Sequence, residues 1–512
     1  MNRKVGVIFS YVLMFVEICS TMLFTPFLIR TLGQAEYGIY HLILSILSYF
    51  TLLDLGVGNS VIRYMSKYSA ENNKKAQCSF MGVTTIYYSI IAVIAFVIGL
   101  VVKQNLPQIF ETGLTASEIQ LAEKLFSIAI CNTVVSLATS AFSNAILAHE
   151  HFMVSKGTTI VMTIIKVLLS VVALKMGMSS KGVLTVHLIT TCITRGIYVV
   201  YVVFKLKIVP SFKNIQFSFL KEVASYSSFI LLQLIASYIN SMSDQILLGM
   251  FAQGSAVIIG IYSIGAQILQ YFKTVGAHFT GVLMPGLVRL VDSKPTRETY
   301  EKEMIKIGRI VFMVLALVWC VFLVFGKDFI CLWAGEENSQ AYIVAIVLMF
   351  PTLFGYAQGT GYQLLQAMAK HKLPAIIQVG SAILHIILVI ILIKWNALYG
   401  TVIGSFVSLF LCDMVIMTLM YKKQIGIRLK VFFGGMFKGT VPCLLLSTVV
   451  GFLLKTFKLN RFGWLGFVVN CGVMVAIYGV TMLLYGMNDY EKNLVFKPFK
   501  KILKKIHVVK EV

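Results

Sequence analysis

Long apolar stretches follow one another along almost the whole chain, separated by short polar segments. A helix that crosses a bilayer needs roughly 20 apolar residues. Fourteen stretches meet this length, and they cover residues 5–29, 37–61, 79–102, 121–147, 153–174, 182–204, 223–249, 255–284, 307–325, 341–368, 373–393, 397–421, 435–454 and 463–486. The short alternating segments of a membrane β-barrel are absent from this pattern. It therefore predicts an all-α polytopic membrane protein with about 14 transmembrane helices.

The N-terminal stretch begins with basic residues and then stays apolar to about Ile29. This is longer than the apolar region of a secretory signal peptide, and no small-residue cleavage site follows it. We therefore interpret it as the first membrane helix, retained in the protein.

Composition supports a membrane protein. Of 512 residues, 58% are hydrophobic and 13% are charged, and the mean hydropathy is +0.85. Soluble domains carry about 25% charged residues, so too little polar surface remains here to cover a soluble fold. The nine cysteines form no C-x-x-C pair, and most lie within apolar stretches. We interpret them as small core residues rather than metal ligands or disulfides.

The net charge of +23 is explained by membrane topology. With a cytoplasmic N-terminus, 31 of the 44 Lys and Arg residues fall in inside segments, 9 in outside segments and 4 within spans. Cytoplasmic segments collect Lys and Arg, so both termini are predicted to be cytoplasmic. No nucleic-acid-binding motif accompanies the charge, and no nucleic acid is expected as a partner.

The second half of the chain repeats features of the first at an offset of about 220 residues. Gly38-Ile39-Tyr40 recurs as Gly260-Ile261-Tyr262, and AILAHEHF (145–152) is echoed by LLQAMAKHKL (364–373). A duplicated six-helix unit gives two bundles related by a pseudo-two-fold axis along the membrane normal. The predicted parts are a six-helix bundle in 1–210, a second in 211–425, two extra transmembrane helices in 426–490 and a basic cytoplasmic tail in 491–512.

Two N-terminal motifs carry a family resemblance. TPFLIRTLGQAEYGIY (25–40) and LLDLGVGNSVIRY (52–64) resemble the signature of polysaccharide and O-antigen (Wzx-type) oligosaccharide flippases of the MOP superfamily. The stretch SDQILLGMFAQGSAVIIGIYSIGAQI (243–268) resembles the seventh and eighth helices of that family. The resemblance covers essentially the whole chain.

The resemblance implies a function without an enzyme activity. The protein would flip an undecaprenyl-pyrophosphate-linked oligosaccharide across the bacterial cytoplasmic membrane for surface polysaccharide biosynthesis. Its partners would be this lipid-linked oligosaccharide, membrane lipids and other polysaccharide-assembly proteins. No cofactor or metal is expected, and a proton or Na⁺ gradient would supply the coupling. A cation-coupled multidrug or other lipid exporter of the same superfamily remains as the alternative.

Ionisable residues inside the predicted spans are the candidate site residues. They usually face a cavity, because a charge is costly in hydrocarbon, and an anionic pyrophosphate needs cations along its route. The basic candidates for the substrate cavity are Lys273, Arg195, Lys166, Arg30, Arg63 and His278, with Lys273 ranked first. The candidate coupling or gate residues are Glu17, Asp54 and Asp413. Pairing of these acids with the mid-span cations inside the bundles is the other interpretation, and both stay open.

Other membrane-protein classes fit the sequence less well. No Ser/His/Asp, Walker-type or metal-ligand spacing occurs, which argues against an enzyme or a self-contained ATP-driven pump. The segment after the second span, RYMSKYSAENNKKAQ, lacks the acid- and glycine-rich pattern of major facilitator carriers. A drug exporter would need an acidic cavity for cationic drugs, whereas mid-span cations here equal or outnumber the acids.

Overall fold

The structure is a computed structural model that describes residues 3–54, 56–212, 218–281, 284–293, 295–368, 370, 372–457, 463–494 and 496. Within these residues the secondary structure consists of α-helices with short 3₁₀ and π segments, and no strand is present. The prediction of an all-α polytopic fold is confirmed. Most of the predicted basic tail, 491–512, lies outside the described residues.

The chain forms two compact units. The first unit contains Met1–Ser263 and Gln378–Ser405, and the second contains Ile264–Ile377 and Phe406–Val512. The N-terminal helices of the first unit are α1 Arg3–Ser48, α2 Val57–Ala70, α3 Lys74–Ile109, α4 Ala116–Ala138, α5 Ser140–Ala148, α6 Phe152–Lys175, α7 Ser179–Val200 and α8 Ser218–Phe251. In this unit α1 packs on α4, α6 and α8, while α7 packs on α4 and α6.

Three further helices are divided between the units at their boundaries: α9 Ser255–Gly281, α14 Lys372–Ile393 and α15 Ala397–Leu409. The remaining helices belong to the second unit and are α10 Met284–Asp292, α11 Arg297–Ala334, α12 Ala341–Ala357, α13 Gly359–Ala367, α16 Met417–Gln424, α17 Leu429–Phe437, α18 Thr440–Thr456 and α19 Trp464–Thr481. Within the second unit, α11 is central, because it packs on α12, α17, α18 and α19.

Among the described residues, ten helices are long and apolar enough to cross a membrane, or twelve if each of two bent pairs forms one span. The bent pairs are α12 with α13, at 43°, and α17 with α18, at 44°. One of the ten, Ile8–Asp54, covers most of two of the predicted stretches, 5–29 and 37–61. The number of fourteen spans is therefore not confirmed and stays a prediction.

Several predicted boundaries were wrong in detail. The loop expected at 30–37 is reduced to a break at Gly33, whose φ is 75°. The span expected at 37–61 ends earlier: a 3₁₀ segment covers Tyr49–Asp54, and Gly56, with φ 74°, precedes the separate helix α2. Glycine adopts positive φ with little cost because it has no Cβ, so the backbone can break at both positions without strain.

Two more predicted spans are broken and one is longer than expected. The span at 121–147 divides into α4 and α5 at Thr139, and the span at 341–368 divides at Gln358, about 220 positions later. That separation equals the offset of the sequence repeat. The span expected at 307–325 belongs to the longer helix α11.

The outer faces of the helices are apolar. Large hydrophobic side chains such as Phe15, Leu23 and Val93 are exposed, at 66%, 77% and 62% of their surface. Exposed apolar area on this scale is unfavourable in water but suits a lipid environment. The chain is therefore a multi-pass membrane protein.

Helix α2 is amphipathic and contains the C-terminal part of the motif at 52–64, which includes Asp54. Val57, Val61 and Met65, four residues apart, are buried on one face of α2, and this face packs in one cluster with residues of α3 and α5. Arg63 lies on the exposed side, with its guanidinium 5.9 Å from the ring of Tyr64. The motif thus forms a helix break followed by an amphipathic helix.

Candidate functional site

A polar cavity of about 420 Å³ lies inside the first unit, among α4, α5, α6 and α7. Its lining residues are Asn132, Ser136, Ser143, Leu147, Ser155, Thr159, Met162, Thr163, Lys166, His187, Thr190, Thr191, Thr194, Arg195 and Tyr198. We call it the polar cavity. Its volume is in the range of small-molecule sites, and hydroxyl groups dominate its wall.

Helical spacing explains how the polar cavity forms. On α6 the lining positions are 155, 159, 162, 163 and 166, and on α7 they are 187, 190, 191, 194, 195 and 198. Residues three, four, seven and eight apart share one face of a helix. Each helix therefore presents a stripe of Ser and Thr that ends near a basic residue.

Arg195 is held in the cavity wall by a hydroxyl. Its Nη2 donates to Oγ of Ser136 on α4 at 2.7 Å. Among the described residues no carboxylate forms an ion pair with Arg195. One hydrogen bond uses one of the five guanidinium N–H donors, so the side chain is positioned with donor capacity that a ligand can use.

Lys166 and His187 contribute the other basic groups of the wall. Lys166, on α6, is half-buried, and it interacts electrostatically with Glu17 on α1 and with His187 on α7. Glu17 itself is exposed, and no ion pair joins its carboxylate to a base among the described residues. The cavity lining contains one guanidinium, one lysine amine and one imidazole, and it contains no carboxylate.

One amide oxygen of the wall is unsatisfied. Oδ1 of Asn132, on α4, is buried and has no hydrogen-bond partner among the described residues. A buried acceptor without a donor is costly. A ligand hydroxyl or a bound water would satisfy it, which fits a site that receives a polar molecule.

The other basic candidates lie elsewhere. Arg30 and Arg63 are exposed on α1 and α2. Lys273 and His278 are half-buried on the part of α9 that belongs to the second unit, outside the cavity lining. Of the six basic candidates, Arg195 and Lys166 therefore lie together in the polar cavity.

The acidic candidates also have distinct surroundings. Asp54 accepts a hydrogen bond of 2.6 Å from the Tyr88 hydroxyl, and its Oδ2 is 3.4 Å from the backbone nitrogen of Gly58. Asp413 lies in a π-helical segment of the second unit, where its carbonyl accepts from Gln358 at 2.6 Å. None of the three acids lines the polar cavity as described.

Sequence reasoning missed the neutral part of the wall. Asn132, Ser136 and the Ser and Thr stripes of α6 and α7 were not among the candidates. The available signal was the helical period of hydroxyl residues inside two otherwise apolar spans. Charged residues are a stronger signal of a site, because they are rare in spans, whereas Ser and Thr are common there.

Comparison with known proteins gives a family and a fold. A family model described as "Polysaccharide biosynthesis protein" matches residues 5–291, more than half of the chain. A search of curated proteins finds no match.

Several solved structures share the fold at low sequence identity. The structure entitled "Lipid II flippase MurJ, inward closed conformation" matches with a TM-score of 0.63 and 14% identity, over 96% of this chain and 99% of that one. An inward-facing multidrug resistance MATE family transporter of the MOP superfamily matches with a TM-score of 0.63 and 12% identity, over 80% and 94%. The MATE multidrug transporter DinF-BH, in complex with R6G, matches with a TM-score of 0.61 and 17% identity, over 83% and 95%.

Proposed function

Because the chain belongs to the polysaccharide biosynthesis protein family, we propose that it flips an undecaprenyl-pyrophosphate-linked oligosaccharide across the bacterial cytoplasmic membrane. Membership of this family confirms the resemblance to MOP-superfamily flippases. The chain is a membrane transporter rather than an enzyme. In the proposal both termini are cytoplasmic, and the polar cavity receives the pyrophosphate and the first sugars.

The charge of the polar cavity is the observation that carries the proposal. Arg195 and Lys166 line it, and no Asp or Glu is among its lining residues. A desolvated pyrophosphate needs charge-assisted hydrogen bonds, and a guanidinium suits phosphate oxygens because its donors are planar and fixed. The Ser and Thr stripes supply donors and acceptors for sugar hydroxyls.

The alternative, a cation-coupled multidrug exporter, has the support of the fold. The MATE transporters match this chain well, and one of them is a complex with R6G. A cationic drug, however, would meet the positive charge of the polar cavity with no lining carboxylate to offset it. The wall therefore favours an anionic ligand.

A binding measurement tests the proposal. The purified protein in nanodiscs is titrated with fluorescent undecaprenyl pyrophosphate and, separately, with undecaprenyl monophosphate. We expect tighter binding of the pyrophosphate, and we expect Arg195→Gln and Lys166→Gln each to weaken it by about tenfold, or about 1.4 kcal/mol. Surface polysaccharide should fall in parallel when the variants are expressed in a flippase-null strain.

Lys124→Gln is the matched control. Lys124 also lies on α4 and within the predicted span at 121–147, but it is exposed and lies outside the cavity lining. The Lys124→Gln variant should bind the pyrophosphate with the same affinity as the wild type. Wild-type affinity in both cavity variants would contradict the assignment of the polar cavity, and tighter binding of a cationic dye than of the pyrophosphate would favour the exporter.

A further inference from the structure

A second cavity, of about 480 Å³, lies in the second unit and is separate from the polar cavity. Its wall is formed by the N-terminal part of α11, by α17 and by the residues that follow the last membrane helix. The lining includes Lys302, Ile305, Lys306, Arg309, Asn488 and Tyr490. We call it the basic pocket, because its lining contains three basic side chains and no carboxylate.

The basic side chains form a stripe on α11 beside its apolar part. Positions 302, 305, 306 and 309 are three, four and seven residues apart, so they share one face of the helix. The apolar stretch predicted at 307–325 begins next to this stripe. The basic pocket therefore lies where α11 passes from water into hydrocarbon, which is the depth of lipid headgroups.

Exposed apolar side chains adjoin the basic pocket. Nη2 of Arg309 donates to the carbonyl of Gly486, the last residue of the π-helical segment Met482–Gly486. The two residues before Gly486, Leu484 and Tyr485, expose 63% and 83% of their surface. A ligand with its polar head in the pocket would find apolar surface beside it, which an acyl chain can cover and a free phosphate cannot.

Two of the three basic groups are already paired, and one is not. Nε of Arg309 lies 2.7 Å from a carboxylate oxygen of Glu491, and Nζ of Lys306 lies 3.2 Å from a carboxylate oxygen of Glu303. Lys302 is exposed, and it forms no ion pair within the described part of the chain. The pocket therefore has one positive charge that a ligand with a single negative charge can offset.

Lys306 and Asn488 are positioned and keep donors for a ligand. The ammonium of Lys306 lies 4.7 Å from the ring centre of Tyr490, so it is held by this ring as well as by Glu303. Oδ1 of Asn488 accepts from the backbone nitrogen of Glu491 at 2.9 Å. This bond fixes the amide and leaves its two N–H donors unused by it. The basic pocket thus combines two ammonium groups with a neutral donor.

We propose that the basic pocket binds the headgroup of an anionic phospholipid of the phosphatidylglycerol class. The phosphodiester lies between Lys302 and Lys306, and a glycerol hydroxyl accepts from Asn488. The acyl chains cover the apolar surface beside Gly486. Basic pockets between helices at a membrane surface suit anionic headgroups, whereas the ammonium of a zwitterionic headgroup would be repelled by the two lysines.

Binding of defined lipids tests the proposal. The full-length protein, stripped of lipid in a neutral detergent, is titrated with short-chain phosphatidylglycerol, with short-chain phosphatidylethanolamine and with glycerol phosphate. Native mass spectrometry counts the bound molecules. We expect phosphatidylglycerol to bind most tightly. Lys302→Gln and Lys306→Gln should each weaken its binding about fivefold, the contribution of one basic residue at an anionic lipid surface.

Glu303→Gln should have the opposite effect. It releases the ammonium of Lys306 and removes a negative charge beside the pocket, so phosphatidylglycerol should bind about fivefold more tightly. A purely structural role of the Lys306–Glu303 pair gives no such gain. Lys423→Gln is the matched control, because Lys423 is an exposed lysine at the end of α16 and lies outside the lining. It should bind phosphatidylglycerol with the wild-type affinity.

Several results would overturn the proposal. One is wild-type affinity for phosphatidylglycerol in both Lys302→Gln and Lys306→Gln. Equal affinity for phosphatidylethanolamine would exclude an anionic headgroup site, and equally tight glycerol phosphate would indicate a phosphate site rather than a lipid site. Circular dichroism and elution volume establish that each variant is folded.

The basic pocket and the polar cavity can be tested separately. Lys166→Gln alters the polar cavity, so it should keep the wild-type affinity for phosphatidylglycerol. Lys302→Gln should in turn keep the wild-type affinity for undecaprenyl pyrophosphate. Loss of phosphatidylglycerol binding in Lys166→Gln alone would place that lipid in the polar cavity and overturn the assignment of the basic pocket.

Discussion

Arg195 on α7 donates a hydrogen bond of 2.7 Å to the hydroxyl of Ser136 on α4, inside the polar cavity. The guanidinium is therefore fixed between two helices before a ligand arrives. Preorganised donors bind an anion better than mobile ones, because less side-chain entropy is lost on binding. Ser136 acts through Arg195, so it is a positioning residue in the proposed site.

Ser136→Ala should weaken binding of undecaprenyl pyrophosphate by about three- to tenfold, the value of roughly one hydrogen bond. Arg195→Lys should weaken it at least as much, because an ammonium cannot make the planar two-point contact. Titration in nanodiscs measures both. Ser127→Ala, on the same helix but outside the cavity, should bind normally. Full affinity in Arg195→Lys would show that charge alone is sufficient.

Gly38 and Gly260, the first residues of the two GIY motifs, meet in the structure, where α1 and α9 approach closely in the first unit. A Cβ on Gly38 would lie 1.9 Å from the carbonyl oxygen of Ala256, and a Cβ on Gly260 would lie 2.5 Å from that of Gln34. These are backbone atoms and cannot give way as a flexible side chain can. Both glycines open a GIY motif, so each copy of the motif permits the same close packing.

Gly38→Ala should therefore lower stability by about 1–3 kcal/mol, the usual cost of overpacking. Gly196→Ala is the matched control, because a Cβ there would meet nothing within 4 Å. Alanine favours the helix over glycine by about 1 kcal/mol, so this control should be neutral or stabilising. Thermal unfolding in detergent compares the two. Equal melting temperatures would mean that α1 and α9 can separate without loss.

Much of the fold could be predicted because hydropathy reports burial in lipid directly, and the predicted stretches fall on helices. The breaks at Thr139 and Gln358 could not be predicted, since each lies inside a stretch that is long and apolar enough to be one span. They depend on local backbone conformation and on packing against other helices.

The candidate site was predicted in part for a similar reason. Arg195 and Lys166 could be identified because a charged side chain inside a span almost always faces the bundle interior or a water-filled cavity. The ranking of Lys273 above them rested on an assumed position in the second bundle, not on a contact. The wall of the basic pocket joins Arg309 to Gly486, 177 positions away along the chain, and spacing along one helix carries no information about such a contact.

Asp54 should act mainly on stability. Its carboxylate accepts from Tyr88, and the Tyr88 hydroxyl in turn accepts from Nδ2 of Asn144 at 3.3 Å. Asp54→Ala removes a hydrogen bond to a charged group and should cost about 1.5–3 kcal/mol. Asp54→Asn, which keeps an acceptor, should cost less. Thermal unfolding measures the loss, and lipid flipping per folded molecule should be unchanged in Asp54→Asn. Stable protein with no flipping would instead identify Asp54 as a gate.

Arg309 stabilises the C-terminal part of the second unit. It is 8% exposed on α11, and its Nε lies 2.7 Å from a carboxylate oxygen of Glu491. Its Nη1 donates to the carbonyls of Gly435 and Lys438 at 3.0 and 2.6 Å, and its Nη2 donates to that of Gly486. One side chain thus joins α11 to the ends of α17 and of the last membrane helix.

Arg309→Ala should cost about 3–5 kcal/mol, because it leaves the buried carboxylate of Glu491 without a partner. Glu491→Gln should cost less, since the guanidinium keeps its three carbonyl acceptors. The double variant Arg309→Ala with Glu491→Gln should lose less stability than the sum of the two single losses, because no unpaired charge remains. Lys455→Gln breaks a more exposed pair with Asp328 and should cost at most about 1 kcal/mol. Unfolding in detergent ranks the four variants, and an Arg309→Ala protein as stable as Lys455→Gln would contradict this role of Arg309.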